Sequence, residues 1–211
     1  DVPGDDPAVI GSGPTFLKGE TSKRDYRIIA SNRQALKAAA AKARGLGYRV
    51  RVLPHTVQGE ARFAARRLAQ SCCRLSAPGL RSGPRARRAA AGCLLAGGET
   101  TVRVRGKGLG GRNQEMALSA ALAFKKRPGI AFLAGGTDGR DGPTPSAGAG
   151  VTGDTAGAAR FRGLDPEAFL HDNDSHGFFR KAVGRKVPCV LLPEEATGTN
   201  VMDLYIGLRE G

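Results

Sequence analysis

"RIIASNRQALKAAAAKARGLGYRVRVL", residues 27–53, reads as strand, helix and strand in immediate succession. Ile28 and Ile29 make a short apolar strand, Ser31 or Asn32 can cap a helix to Ala43 or Arg44, Gly45 and Gly47 stop it, and Tyr48–Leu53 is extended again. Such a β-α-β unit predicts an α/β protein. Upstream, residues 1–24 are rich in Gly, Pro, Asp and Ser and carry no helical or strand period, so they read as loop. Downstream, residues 59–75 read as a basic helix, followed by the arginine-rich "SAPGLRSGPRARRAAAG" at 76–92. That stretch has linker composition, with no periodic face or aromatic to make it a nucleic-acid arm, and it sets an expected domain boundary: 1–92 and 93–211. Beyond it the pattern predicts strands around Cys93–Ala96 and Thr100–Arg105 and a helix from about Asn113 to Phe124. A strand Ile130–Ala134, a long Gly/Asp loop, a helix near Ser175–Val183 and strands Cys189–Leu192 and Val201–Leu208 complete it. The expected fold is α/β, a mixed sheet flanked by helices.

The 211 residues, 40% hydrophobic, suffice for a sizeable core. Thirty-three Lys and Arg against 19 Asp and Glu give a formal net charge of +14, so partners are expected to be anionic: phosphates, nucleotides, carboxylates or nucleic acid. Trp is absent and aromatics are 5%, too few for the stacking platform of a single-strand binder, which makes nucleic acid a minor alternative. Cys72, Cys73, Cys93 and Cys189 match no zinc spacing and no disulfide framework, which predicts a reducing compartment, the cytoplasm. No apolar run is long enough to span a membrane, and nothing at the start reads as a signal peptide. The opening on "DVPGDDPAVIGSGPT", with no Met, is expected of a fragment.

Three stretches can carry chemistry. In "VRVRGKGLGGRNQEMALSAALAF" (102–124), Gly106, Gly108 and Gly111 satisfy G-x-G-x-x-G ahead of a helix. A dinucleotide strand is buried on both faces and continuously apolar, whereas Thr101–Arg105 alternates, so NAD binding is disfavoured. The N-terminus of the following helix can still hold a phosphate or carboxylate, with Gly108, Gly110, Gly111 and Asn113 lining it and Arg112 supplying a bidentate cation. The bland alternative is a tight connection whose glycines supply positive φ. "FLAGGTDGRDGPT" (132–144) sets Thr137, Asp138 and Asp141 after an apolar strand, where α/β proteins bind ligands and where carboxylates plus substrate phosphates hold Mg²⁺; the alternative is an Asp-rich turn. "ATGTNVMDLYIGL" (196–208) offers Thr197, Thr199 and Asn200 in a hydroxyl-rich turn that binds a ligand or only turns. In "LHDNDSHGFF" His171 and His176 flank polar residues that could bind a metal, but Asp174 or Ser175 capping the helix at Gly177–Val183 is the simpler reading. Asp1, Asp5 and Asp6 cluster in the opening loop, where Asp1 would end any strand preceding it.

Six blocks in order, "DVPGDDPAVIGSGPT" (1–15), "IIASNRQAL" (28–36), "LLAGGETTVRVRGKGLGGRNQEMAL" (94–118), "FLAGGTDGRDGPT" (132–144), "NDSHGFF" (173–179) and "TGTNVMDL" (197–204), resemble the glycerate 2-kinases whose C-terminal half is the MOFRL domain. The resemblance implies transfer of the ATP γ-phosphate to D-glycerate with Mg²⁺, giving 2-phosphoglycerate, at a cleft between two domains. Some relatives carry an older hydroxypyruvate reductase label, which makes an NAD(P)-dependent reductase the alternative. The resemblance places the family's GGRNQE arginine on Arg112, its GTDG acid on Asp138 and its DVPGDD acids on Asp1, Asp5 and Asp6, which implies catalytic roles for Arg112, Asp138 and Asp1. With the loop readings above, substrate or phosphate binding is expected at Gly108, Gly110, Gly111, Asn113, Thr137, Thr199 and Asn200 and metal binding at Asp5 and Asp141, and a homodimer is left open. Between SGPT and the SN block this chain has only "FLKGETSKRDY" (16–26), and the relatives' first Rossmann-like strands have no counterpart, which implies half an active site, inactive alone.

Overall fold

In a computed structural model the described residues are 2, 6, 9–10, 27–75 and 91–211. Asp1, Asp5 and the arginines of the expected linker lie outside them. Twelve elements follow in order: α1 (Asn32–Gly45), β1 (Arg49–Val52), α2 (Ala61–Cys73), β2 (Gly92–Gly98), α3 (Arg112–Phe124), β3 (Ile130–Gly136), β4 (Ser146–Thr152), α4 (Thr155–Phe161), α5 (Pro166–His171), α6 (Ser175–Gly184), β5 (Cys189–Pro193) and β6 (Asp203–Arg209). The strands form one mixed sheet in the order β1-β2-β6-β3-β4-β5, in which only β1 and β2 are parallel. β1 pairs with β2 across residue 92, so one sheet joins the two expected segments.

The apolar pattern explains the layers. β2 is buried along its whole length because it is covered on both faces. Leu94 and Ala96 face the large core under α2 and α3, and Cys93 and Leu95 face Ala40 of α1. α3 is almost wholly buried, with Met116, Ala117, Leu118 and Phe124 at 0% exposure, as its nearly all-round apolar sequence requires. A buried ion pair joins the two inner helices: Arg62 of α2 donates from Nε and Nη2 to the two oxygens of Glu115 of α3, at 3.0 and 2.9 Å. Ser31 caps α1 as expected, accepting from the Gln34 N–H, and Asp174 caps α6, accepting from the Gly177 N–H.

Several expectations fail for identifiable reasons. Ile28 and Ile29 form no strand; the parallel β-α-β unit is β1-α2-β2 instead. Thr100–Arg105 is not a strand either: beyond a bridge from Thr101 to Glu60, its polar groups turn to one side chain. Asn173 Oδ1 accepts from the N–H groups of Arg105 and Gly106, and its Nδ2 donates to the Arg103 carbonyl and to Glu115, leaving Val104 72% exposed. The long Gly/Asp loop contains β4, and two short helices follow before α6. β4 reads "SAGAGVT", whose small residues show no alternation, and its Gly148, at φ +149°, lies where a Cβ would come within 2.1 Å of the Ala134 carbonyl oxygen on β3. β6 starts two residues later than expected because Met202 adopts φ +65° and turns the chain around Thr137.

Candidate active site

The carboxyl ends of β2 and β3 flank the first residue of β6: Asp203 stands opposite both Gly98 and Gly136. Crevices at the carboxyl ends of strands are where α/β sheets bind ligands. Glu99 follows β2, Thr137 follows β3, and the glycine turn delivers Arg112 to the same place as the first residue of α3. Arg112 donates from Nε to Asp203 Oδ2 at 2.7 Å and from Nη2 to Asp203 Oδ1 at 3.0 Å, while its Nη1 lies 3.0 Å from Glu99 Oε1. Asp203 also accepts from Asn113 Nδ2 at 3.0 Å and from the Tyr205 hydroxyl at 3.2 Å. The carboxylate is fully buried, whereas the guanidinium side chain is 30% exposed and Glu99 38%. A bidentate Arg–carboxylate pair sealed on the carboxylate side and open on the other fixes a cation at the edge of a crevice.

The start of α3 is an anion site, but its anion is the protein's own. Gly111 offers no side-chain cap, and Asp141 fills that place: Oδ1 accepts from the Asn113 N–H at 2.9 Å, and Oδ2 from the Gln114 N–H at 2.8 Å and Gln114 Nε2 at 2.9 Å. Asp141 is 1% exposed and both its oxygens are occupied by α3, so the structure gives it the work of a helix cap rather than presenting it to a metal.

The glycine turn behaves likewise. The N–H groups of Gly106, Lys107, Gly108 and Leu109 donate to Asn173 Oδ1, Asp172 Oδ1, the Asp172 carbonyl and Asp174 Oδ1. These glycines do not supply positive φ, the conformation that the tight-turn reading required. They supply room: a Cβ on Gly108 would sit 2.3 Å from Asp174 Cβ, one on Gly110 2.3 Å from Ser175 Oγ, and one on Gly111 2.3 Å from Asp141 Cγ. A dinucleotide or phosphate on these N–H groups would have to displace the 172–174 segment.

Thr137 is a latch. Its hydroxyl donates to the Met202 carbonyl at 2.7 Å and accepts from the Val201 N–H at 2.8 Å, while Thr197 Oγ1 donates to the Thr137 carbonyl. Asn200 Oδ1 accepts from the Met202 N–H at 3.1 Å, and Thr199, exposed beside it, donates its N–H to Thr197 Oγ1. Asp138 is half-buried and turns the loop, accepting from the Arg140 N–H at 3.0 Å. Arg140 in turn pairs with Glu194 at 3.0 Å.

Burial lowers the pKa of Arg112, but the hydrogen bonds and charge of Asp203, with Glu99 behind them, outweigh it and hold the guanidinium above its ordinary value. Burial pushes the Asp141 carboxyl up against the downward pull of the Asn113 and Gln114 donors. Burial and the charge of Asp203 push the Tyr205 hydroxyl up.

The structure thus gathers Arg112, Asn113 and Thr137 at the head of β6, with Asn200 bracing the chain that enters it. Sequence reasoning missed Asp203, Glu99 and Asn32. Asn32, at the start of α1, donates from Nδ2 to the carbonyls of Val201 at 2.7 Å and Asp203 at 3.2 Å. A Cβ on Gly97 would fall 1.9 Å from Asn32 Oδ1, so that glycine makes room for the contact. Nothing local marks their roles: an Asp in "NVMDL", a Glu beside "AGG" and an Asn at a helix start look ordinary until the sheet brings them together.

The MOFRL family model matches residues 92–203, which span β2, the glycine turn, α3 and Asp203. The chain belongs to the MOFRL family. This MOFRL chain is 40% identical to the glycerate kinase of Danio rerio, an alignment covering 86% of this chain and 42% of that protein. It is 37% identical to the D-glycerate 2-kinase of Thermotoga maritima over 95% of this chain and 44% of that one, and 36% identical to a putative hydroxypyruvate reductase of Agrobacterium vitis over 97% and 52%. The crystal structure of the Thermotoga maritima glycerate kinase superposes with a TM-score of 0.82 at 33% identity, covering 99% of this chain and 55% of that chain. The MOFRL chain therefore spans about half the length of the relatives it matches.

Proposed function

We propose that this chain forms one side of the active site of a D-glycerate kinase, which transfers the γ-phosphate of ATP to glycerate to give 2-phosphoglycerate. The carrying observation is Arg112: a guanidinium clamped by a buried carboxylate at the carboxyl ends of β2 and β3, with its outer edge reaching solvent. Phosphoryl transfer needs chiefly positioning and charge neutralisation, and a fixed arginine supplies both without a covalent nucleophile. The family membership and the glycerate kinase relatives support the same reading. In it, Arg112 binds and orients a phosphate oxygen or the glycerate carboxylate, and Thr137, Thr199 and Asn200 line the neighbouring lip.

The donor set fits a nucleotide-borne Mg²⁺ rather than a protein cage. No three His, Cys, Asp or Glu side chains converge on a metal among the described residues, and Mg²⁺ is commonly held by one or two carboxylates plus phosphate oxygens. Asp138 is the described carboxylate we assign to it. When bound, Mg·ATP brings the transferable phosphoryl group and offsets its charge. We assign residues 1–92 to the first-domain part of the enzyme's chain and 93–211 to its MOFRL-type part, the two sharing one sheet through the β1–β2 pair. The unpaired state of all four cysteines supports a reducing compartment, the cytoplasm, and no helix among the described residues is long and apolar enough to cross a membrane.

The test is ADP release coupled to a reporter, with ATP, Mg²⁺ and D-glycerate, on this chain alone and on the chain supplied with the portion that its relatives carry beyond the matched region. Activity in the second preparation is the expected result; no glycerate-dependent ADP in either overturns the proposal. A reductase has less support, because the N–H groups of its G-x-G-x-x-G turn donate to Asp172, Asn173 and Asp174.

A further inference from the structure

We propose that Asp203 is the positioning residue of this site: it fixes the plane of the Arg112 guanidinium and so decides which edge of that cation meets the anionic ligand. The chemistry of the inference rests on the kinase reading above; the positioning rests on geometry alone.

Asp203 is held as tightly as a side chain can be. Its backbone lies in register between Gly98 of β2 and Gly136 of β3, and Asn32 Nδ2 donates to its carbonyl from the α1 side. Each carboxylate oxygen accepts two bonds: Oδ1 from Arg112 Nη2 and Asn113 Nδ2, Oδ2 from Arg112 Nε and the Tyr205 hydroxyl. Rotating the carboxylate breaks all four. The fork it grips is rigid and planar, so holding Nε and Nη2 also aims Nη1. Glu99 meets that third nitrogen from the solvent side. An incoming phosphate or carboxylate can displace the half-exposed Glu99 far more readily than the fully buried Asp203, whose release would leave a desolvated charge without its partner. The two carboxylates therefore divide the labour: Asp203 sets the orientation, and Glu99 occupies the edge that the ligand takes.

Three variants in the active preparation test this: Asp203→Asn, which keeps the shape and removes the charge, Arg112→Ala, and the two combined. Asp203→Asn is expected to lower kcat on the order of ten- to a hundredfold, with a smaller change in the glycerate KM, since misaim acts chiefly in the transition state. The double variant is expected to be no slower than Arg112→Ala, because Asp203 acts through the arginine. Wild-type kcat in Asp203→Asn, or losses that multiply in full, would overturn the proposal.

On this chain without substrate, proton exchange at Arg112 Nε, followed by NMR, is expected to be slow in the wild type and fast in Asp203→Asn, with backbone amide protection retained. Unchanged exchange would overturn the positioning role, whatever the activity. Slow wild-type exchange lost in Asp203→Asn, in a protein with no kinase activity, would sink the kinase reading and leave the positioning standing. If Asp203→Asn does not fold, Tyr205→Phe removes one of the four bonds: a severalfold fall in kcat with faster Nε exchange is expected, and no change in either counts against the proposal.

Discussion

Asp141 and Asp203 are both buried, both lie far along the chain from α3, and both accept hydrogen bonds from its first turn, but from different parts of it. Asp141 takes the backbone N–H groups of Asn113 and Gln114. Asp203 takes the side chains of Arg112 and Asn113. Through the backbone bonds, with the Gln114 amide added, Asp141 holds the helix in place; Asp203 holds side chains, the Arg112 guanidinium and the Asn113 amide, that project from it. Neighbouring residues on one turn are thus anchored for two purposes, the fold at Asn113 and Gln114 and the chemistry at Arg112.

The comparison breaks most visibly at Arg112. Arg112→Ala removes the cation that Asp203 aims, and turnover in the active preparation is expected to fall about 10²-fold or more. The same change leaves the fully buried Asp203 charge without its cation, so stability is expected to fall by about 3–5 kcal/mol as well, and turnover is compared where circular dichroism shows the variant folded. Unchanged ADP release would remove the arginine from the mechanism.

Asp141→Ala leaves buried N–H groups at the head of α3 without an acceptor, which is expected to cost about 2–3 kcal/mol of stability, read from the denaturant midpoint. A variant as stable as the wild type would show that the cap is dispensable. The pH dependence has a definite sign. Burial raises the folded midpoint of Asp141 above its ordinary 3.8, so the folded state holds the proton more tightly than the unfolded state does. Stability from this group is complete below the unfolded value and is lost as pH rises through the raised midpoint. Wild-type stability minus that of Asp141→Asn should therefore decline from about pH 4 upward; a rising difference would contradict the burial account.

How much of this was legible beforehand follows the reach of each interaction. The capped helix after Ser31, the buried α3 and the apolar β2 and β3 all announce themselves within a dozen neighbouring residues, through a cap, a stop or a hydrophobic period. β4 did not, because alanine and glycine carry no alternation and its pairing is decided by how closely β3 can approach Gly148. Thr101–Arg105 alternated like a strand, yet Asn173, far along the chain, claimed its hydrogen bonds. At the site, Arg112 stood out by residue type at a helix start. Asp203 carries no local mark: its role exists only once β6 is inserted between β2 and β3 and brings it to a residue 91 positions earlier.

The glycine turn offers a milder test of where the site lies. Gly108→Ala drives a methyl group to 2.3 Å from Asp174 Cβ and 2.5 Å from Asp174 backbone atoms, so either the turn or the start of α6 must move. A loss of about 1–3 kcal/mol is expected, as for overpacking elsewhere. Nucleotide affinity should be affected less than stability. A variant that stays fully stable but loses nucleotide binding would return the turn to the ligand and reverse the reading of its N–H groups.

The smallest effect belongs to Glu99, and it sharpens the contrast between a buried and an exposed carboxylate on the same arginine. Glu99→Gln removes a half-exposed ion pair, a contact worth about 0–1 kcal/mol, so the unfolding midpoint should hardly move. The consequence should instead appear in binding. With the competing charge gone from Nη1, the anionic ligand no longer has to displace it, and the glycerate or nucleotide KM is expected to fall severalfold, more strongly at low salt, where the competition is least screened. If KM rises instead, Glu99 helps to hold the ligand rather than standing in its place. Arg112 would then be presented by two fixed carboxylates rather than by one fixed and one displaceable.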